Sequence, residues 1–362
     1  MRAHLPVAVT RAIVLAGAVA AAVALAGCGS GPAAPVVSAT AWPEADALFH
    51  ADPRWIGGDG AYSADLGGGR VLWLFGDSFV ATDASNTRAH STMVRNSVAI
   101  QTGYDPSAAT IQFHWRTGSD GKPASFFAES GAHWFWPGQA IKLPDALLVL
   151  LTEVGPTTGG LGFETIRWAA VRIDNPDDDP AAWHAQSIAV APNDWKLVPA
   201  TGLSFDGADL TAYAFREPSH DIHLVRFFAA DLTAPAWFDE GRFVPQPALA
   251  HVPSPVMRGV ATELSVTSRG GGFVAVDNDG FGHTTVDVRT APAREGPWSQ
   301  PAHAYRPPEN DRAAVFTYAG KGHPELLGAD LVATYASNHM DFAMLVADTS
   351  LYFPRFVRLR FE

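Results

Sequence analysis

The stretch GGGRVLWLFGDSF at residues 67–79 decides the fold. A glycine-rich segment precedes the apolar run VLWLF at 71–75, which ends at Gly76. Apolar runs of about four to eight residues between glycine-rich turns are typical of buried β-strands. The stretch therefore predicts the second strand of a β-hairpin whose turn centres on Gly68.

The same order of turn, apolar run and second β-rich run occurs five times. The apolar runs start 58–75 residues apart and are VLWLF (71–75), ALLVLL (146–151), DLTAYAF (209–215), GFVAV (272–276) and DLVATY (330–335). The β-rich runs that follow are RNSVAIQ (95–101), TIRWAAVRI (165–173), IHLVRFFAA (222–230), TTVDVRTA (284–291) and FAMLVAD (342–348). Two further segments are predicted as outer strands: IQFHW (111–115) and YFPRFVRL (352–359).

Five repeats of three or four antiparallel strands favour a five-bladed β-propeller, which closes on itself and so removes long exposed edges. We predict an all-β fold in which residues 42–362 form a single propeller domain. A pair of β-sandwiches or an irregular all-β fold is the alternative, because the repeats share little sequence.

The N-terminus has the composition of a bacterial export signal. Residues 1–27 contain Arg2 and Arg11, no acidic residue, and an apolar run at 12–26 that is too short and alanine-rich for a membrane span. They end in Leu-Ala-Gly before Cys28, the single cysteine of the 362 residues, and this resembles a lipobox. We predict a lipoprotein signal peptide at 1–27 and lipidation of Cys28. A plain signal peptide with an incidental cysteine is the alternative.

Residues 28–41 are predicted to be the lipidated cysteine and a flexible linker, because GSGPAAPVVSATA is small, uncharged and proline-containing. We expect an exported protein, anchored to a membrane through Cys28 and facing the periplasm or the cell exterior. Gly29 after the cysteine favours an outer-membrane or cell-surface position. The net charge is −12, and −14 without residues 1–27, which argues against nucleic acid as a partner.

Two aspartates flank the first hairpin. If its turn centres on Gly68, residues whose numbers sum to about 136 lie opposite each other, and Asp59 is then opposite Asp77. Directly opposed like charges destabilise a sheet, so the pair indicates either a bound cation or a site that needs two coupled carboxyls. Two carboxyls with different pKa values are what glycoside hydrolysis requires. The alternative is that one aspartate caps a turn through backbone amides.

The same arithmetic predicts residues near the substrate. It places Glu153 opposite Trp136, an acid beside an indole as in many sugar sites, and Glu263 level with about Asp277. For each of these the alternative is a polar group that is satisfied at the end of a strand. Arg95 is expected to pair with one of the two aspartates and keep it ionised. The predicted substrate-contacting residues are Arg95, Asn96, Trp134, Trp136, Glu153, Glu263, Asp277, His323 and Tyr335.

Several segments resemble one family of bacterial proteins: WIGGD (55–59), GRVLWLFGDSF (69–79), RNSVAI (95–100), GPWS (296–299) and HPEL (323–326). They look like the proteins known as domain of unknown function 4185. Part of that group is glycoside hydrolase family 183, five-bladed propeller endo-D-arabinanases that cut the arabinan of mycobacterial cell walls. The resemblance implies Asp59 and Asp77 as the catalytic pair.

We therefore predict a glycoside hydrolase that acts on a cell-envelope or environmental polysaccharide such as D-arabinan. Asp59 is predicted as base or nucleophile and Asp77 as proton donor, or the two with their roles exchanged. We expect a monomer. We also expect no metal or cofactor, because there is no HExxH motif and DNDG at 277–280 lacks the downstream acid of a calcium loop. A GDSL-type esterase that uses Ser78 and a non-catalytic glycan-binding propeller are the rival functions.

Overall fold

The computed structural model of the chain describes residues 37–361, except 193–194, 281, 283, 327 and 329. The predicted signal peptide at 1–27, Cys28 and most of the predicted linker lie outside these residues. Within the described part of the chain, no helix is long and apolar enough to cross a membrane.

Strands dominate the structure, and the prediction of an all-β fold is confirmed. The strands are β1 (Val37–Ala41), β2 (Trp55–Gly58), β3 (Tyr62–Gly67), β4 (Arg70–Phe75), β5 (Ser78–Ala81), β6 (Ser91–Val94), β7 (Ser97–Thr102), β8 (Thr110–His114), β9 (Arg116–Thr117), β10 (Pro123–Ala124), β11 (Trp134–Lys142), β12 (Leu147–Pro156), β13 (Phe163–Ile173), β14 (Ala185–Ile188), β15 (Leu197–Phe205), β16 (Leu210–Arg216), β17 (Asp221–Phe227), β18 (Pro235–Asp239), β19 (Arg242–Pro245), β20 (Ser265–Arg269), β21 (Gly272–Asn278), β22 (Val286–Ala291), β23 (Ala302–Tyr305), β24 (Val315–His323), β25 (Leu331–His339) and β26 (Arg355–Phe361). The α-helices are α1 (Pro43–Asp46) and α2 (Phe342–Ala347), and short 3-10 helices lie at Ala47–His50, Arg88–His90, Pro180–Ala182, Phe228–Ala230, Gln246–Ala248 and Pro308–Asp311.

Five antiparallel sheets of four or five strands contain most of these elements. Their strand orders are β3-β4-β7-β8 in the first sheet, β11-β12-β13-β14 in the second, β15-β16-β17-β18-β19 in the third, β20-β21-β22-β23 in the fourth, and β24-β25-β26-β1 in the fifth. A small sheet, β2-β5-β6, continues the first hairpin beyond β3 and β4, and β9 pairs with β10.

The first strands of consecutive sheets contact one another. β3 contacts β11, β11 contacts β15, β15 contacts β20, β20 contacts β24, and β24 contacts β3 again. This order of contacts brings residues near the starts of β3, β20 and β24 to one place. The site described below lies there.

The fifth sheet corrects two predictions. The segment FAMLVAD at 342–348, predicted as a strand, forms helix α2, because the Asp341 side chain caps it by accepting from the backbone N–H groups of Ala343 and Met344. Residues 37–41, predicted as linker, form β1 and pair with β26 from Val37 opposite Phe361 to Ala41 opposite Val357. The N-terminal strand thus supplies the outer edge of the last sheet.

An aromatic cluster packs between the first and fifth sheets. Phe49 lies edge-on to Trp73 and stacks on Phe356, with 5.0 Å between ring centroids in both pairs. Trp55, four residues before Asp59, belongs to the same buried cluster. Because burying one large apolar side chain stabilises the fold by about 1.5–3 kcal/mol, this cluster fixes the strand that leads to the first aspartate.

Candidate active site

Asp59 and Asp77 lie side by side where the first sheet meets the small sheet. β3 and β4 pair with Tyr62 opposite Leu74, which is the predicted register, and on the other side of the aspartates Gly58 pairs with Ser78. The N–H of Asp59 donates to the carbonyl oxygen of Asp77 at 3.4 Å. The two aspartates are therefore neighbours across the continued hairpin.

Asp59 is surrounded by neutral donors. Its Oδ2 accepts from the Tyr318 hydroxyl at 2.6 Å and from the Tyr352 hydroxyl at 3.2 Å. Burial, together with the negative charge of Asp77, raises the pKa of Asp59 to about 7. A Cβ at Gly76 would lie 2.5 Å from Oδ1 of Asp59, so a side chain at position 76 would displace the carboxylate.

Asp77 has a cation beside it. Arg95 Nη1 donates to Oδ2 at 3.1 Å, and the indole N–H of Trp136 donates to Oδ1 at 3.0 Å. The Arg95 guanidinium also lies 4.4 Å from the ring centre of Trp134. Burial raises the pKa of Asp77, whereas Arg95 and the indole oppose that rise. The aspartates thus differ: Asp77 has a counterion, and the two hydroxyl donors of Asp59 carry no charge.

A third carboxylate, Glu263, lies close to the pair. Its Oε2 is 2.5 Å from the ammonium nitrogen of Lys321, whose side chain is 1% exposed. The negative charge of Glu263 contributes to the raised pKa of Asp59. The register of β20 with β21, in which Ser265 pairs with Val276, extends to place Glu263 level with Asn278, one residue from the predicted Asp277.

The predicted pairing of Glu153 with Trp136 is wrong. Near the turn β11 and β12 pair as predicted, but a bulge between Pro137 and Ala140 shifts the register by one, so that Glu153 lies opposite Phe135. Glu153 is instead an internal acid that binds His133 and Arg167.

Four other predicted contact residues are buried and bonded inside the protein, so the structure does not support their contact with a polysaccharide. Asn96 donates to the carbonyl oxygens of Phe127 and Phe135. The remaining three each bind a side chain of the protein: Asp277 binds Arg289, His323 binds Ser63 and Thr334, and Tyr335 binds Glu309. Each of the four is at most 3% exposed.

Sequence reasoning missed Tyr318, Tyr352 and Lys321. Tyr318 and Lys321 lie in β24, and Tyr352 lies in the segment before β26. Their partners, Asp59 and Gly60, are 259–293 residues away along the chain, and no local motif marks the three residues. Phe163 was missed as well; its ring packs edge-on against Trp136 with 4.8 Å between centroids. The half-buried rings of Trp136 and Phe163 form an aromatic wall beside Asp77, whereas Trp134 is buried against the Arg95 guanidinium. Among the described residues, no group of three or more acids, histidines or cysteines is arranged to hold a metal.

One protein family has a sequence profile that matches residues 44–361. The chain belongs to that family. Its description is Domain of unknown function (DUF5005). The match extends over all five sheets and leaves out β1. No curated protein matches the sequence. The resemblance to domain of unknown function 4185 and to glycoside hydrolase family 183 stays a prediction.

Solved structures share the fold of this DUF5005 protein. A candidate hydrolase from Bacteroides ovatus aligns with a TM-score of 0.69 at 18% identity, over 89% of this chain and 90% of that chain. The α-L-arabinofuranosidase of Podospora anserina, solved with cellotriose, aligns with a TM-score of 0.50 at 11% identity, over 85% of this chain and 92% of that chain. At these identities the likeness shows a common fold.

Proposed function

We propose that this protein is an exported, lipid-anchored glycoside hydrolase built as a five-bladed β-propeller. The single observation that carries the proposal is the Asp59–Asp77 pair, two adjacent carboxyls with unequal surroundings. Glycoside hydrolysis needs one carboxyl that donates a proton to the leaving oxygen and another that acts as base or nucleophile. The first strands of the five sheets contact one another in sequence, and the last of them contacts the first sheet again; this circular order supports the propeller.

The surroundings favour the exchanged roles, with Asp59 as proton donor and Asp77 as base or nucleophile. Asp59 has a pKa of about 7 and so holds a proton in a large fraction of molecules at neutral pH. Both phenols donate to its Oδ2, which leaves Oδ1 as the atom that carries the proton. Asp77 has Arg95 to stabilise its anion.

We propose a cell-envelope or environmental polysaccharide as the substrate, with D-arabinan as the first candidate. The aromatic wall of Trp136 and Phe163 supports a sugar ligand, because sugar rings stack on aromatic faces and the wall adjoins Asp77 through the Trp136 indole. Cys28 as the lipidation site would hold the enzyme beside such a polymer, in the periplasm or at the cell surface.

The test is incubation of residues 29–362 with D-arabinan, L-arabinan and arabinogalactan, followed by chromatography of released oligosaccharides. We expect oligosaccharides from at least one polymer and none from an Asp59→Asn, Asp77→Asn double variant. Binding without any release would replace the hydrolase with a non-catalytic glycan-binding protein. Metabolic labelling with palmitate, with Cys28→Ser as control, tests the anchor separately.

A further inference from the structure

Lys321 is a buried cation at the acid pair, and the chemistry proposed above does not use it. It lies at a bulge of β24, where the pairing with β25 shifts between Tyr318 and Lys321. Its nitrogen lies 4.4 Å from the ring centre of Tyr62. A buried ammonium is costly unless charges and acceptors surround it, so its partners indicate what it does.

Three acceptors converge on the ammonium. Lys321 donates to the Glu263 carboxylate at 2.5 Å, to the carbonyl oxygen of Ala319 at 2.9 Å, and to the carbonyl oxygen of Gly60. These acceptors belong to three parts of the chain: the segment before β3, the segment before β20, and β24 itself. One side chain therefore joins the first, fourth and fifth sheets.

Two of these acceptors are peptide groups next to the acid site. Gly60 directly follows Asp59, and Ala319 directly follows Tyr318, whose hydroxyl donates to Asp59. Both Gly60 and Ala319 have positive φ angles, 79° and 60°. A left-handed conformation is strained for alanine and persists where surrounding contacts hold it. The ammonium supplies such a contact on each side of the Asp59–Tyr318 hydrogen bond.

We propose that Lys321 is a positioning residue that holds Asp59 against the Tyr318 hydroxyl by binding the carbonyl oxygen of the residue that follows each of them, with Glu263 as its counterion. This inference rests on the proposed function. It also has an electrostatic consequence, because the groups that face Asp59 are Asp77, Glu263, Tyr318, Tyr352 and Lys321. Lys321 is the cation among them, so its removal raises the pKa of Asp59 further.

The test is Lys321→Met, which removes the charge and keeps most of the length of the side chain. Lys142→Met is the matched control, because the Lys142 ammonium also binds one backbone carbonyl, that of Leu66, and one carboxylate, that of Asp177, each at 2.7 Å, away from the acid pair. We expect Lys321→Met to lower kcat by about 10- to 100-fold with little change in KM. We also expect the alkaline limb of its pH–rate profile to move to higher pH by about one unit, and the control to show neither change.

A loss of thermal stability with an unchanged kcat and pH profile would overturn the proposal, because a purely structural lysine would act in that way. If Lys321→Met does not fold, Lys321→Gln keeps an N–H donor without the charge and should show the same shift.

A second measurement does not depend on hydrolysis. The difference in unfolding temperature between a protein with Asp59 and the same protein with Asp59→Asn follows the protonation of Asp59 as pH changes. The midpoint of that difference should lie at higher pH in the Lys321→Met background than in the wild-type background. An unchanged midpoint would refute the role of Lys321. If the midpoint moves and no glycan is cleaved, the proposed hydrolase fails and the positioning role stands.

Discussion

The two carboxylates of the acid pair receive their partners from different parts of the chain. Asp77 is held by Arg95 and Trp136, which lie 18 and 59 residues away in sequence. Asp59 is held by Tyr318 and Tyr352, which lie 259 and 293 residues away. Asp77 therefore depends on the first and second sheets, and Asp59 depends on contact between the first sheet and the fifth. The charge of Asp77 thus depends on residues nearby in the sequence, whereas the protonation of Asp59 depends on contacts between the two ends of the described chain.

The largest effect is expected for Asp77→Asn. An amide cannot act as base or nucleophile, so kcat/KM on the cleaved polysaccharide should fall by about 10²- to 10⁴-fold. Asp287→Asn is the control, because Asp287 is also buried and binds His303, in a different sheet. Full activity of Asp77→Asn would show that the assignment of roles is wrong.

A smaller effect is expected for Arg95→Met, which removes the counterion from Asp77. The pKa of Asp77 should rise, since an adjacent cation favours the carboxylate anion. If Asp77 must be ionised, the acidic limb of the pH–rate profile moves to higher pH and kcat at neutral pH falls by about 10-fold. Arg167→Met, which removes the partner of Glu153 at 2.7 Å, should leave that limb in place. An unmoved limb in Arg95→Met would mean that Asp77 does not act as the base.

Tyr352→Phe tests the distant side of the comparison. The phenol donates to Asp59, and hydrogen bonds to a carboxylate stabilise its ionised form, so their loss raises the pKa of Asp59. With Asp59 as proton donor, the alkaline limb of the pH–rate profile should move to higher pH, with a change in kcat of less than about 10-fold. Tyr335→Phe removes a hydroxyl bonded to Glu309 and should move neither limb. A shift of the acidic limb alone in Tyr352→Phe would return Asp59 to the role of base.

The smallest effect concerns stability. The pKa of Asp59 is raised from 3.8 to about 7 in the folded protein, so its contribution to stability is fully present below pH 3.8 and is lost as pH rises through 7. Relative to Asp59→Asn, the wild-type protein should lose a few degrees of unfolding temperature between about pH 4 and pH 7. Asp277 and Glu325 also have pKa values raised to about 7, but they contribute equally to both proteins. A constant difference between the two unfolding curves would contradict a raised pKa at Asp59.

Local sequence signals predicted the parts of the fold that local contacts determine. The turn at Gly68 gave the correct pairing of β3 with β4, because strand periodicity and a short glycine turn are properties of neighbouring residues. The same reasoning failed at Glu153 because of the bulge in β11. A Cβ at Gly138, in that bulge, would lie 2.2 Å from the carbonyl oxygen of Ala200 in β15. The bulge accompanies close packing of the second sheet against the third. No sequence pattern within the second repeat predicts that packing.

The prediction for the fifth repeat was also wrong, but here a local signal was overlooked. Its segment FAMLVAD has the composition of a strand, but Asp341 before it is a helix-capping residue, and that signal was available in the sequence. The outer strand of this sheet comes instead from residues 37–41, whose partner in β26 is at the other end of the described chain. Tyr318 and Tyr352 were missed because their role exists only once these distant segments meet.

The pairing of β1 with β26 also limits when the fifth sheet can be completed. Ala41 and Val357 are partners across 316 residues of chain, so the fifth sheet cannot be completed until its last strand has been synthesised. Long-range closure of this kind is slow, because loop entropy opposes it before the contacts form. The first four sheets contain neither β1 nor β26, so they can assemble while the fifth still has an unpaired edge. Because Tyr318 and Tyr352 belong to that sheet and to the segment before β26, Asp59 acquires its two hydrogen-bond donors only when the C-terminal part of the chain has joined the fold.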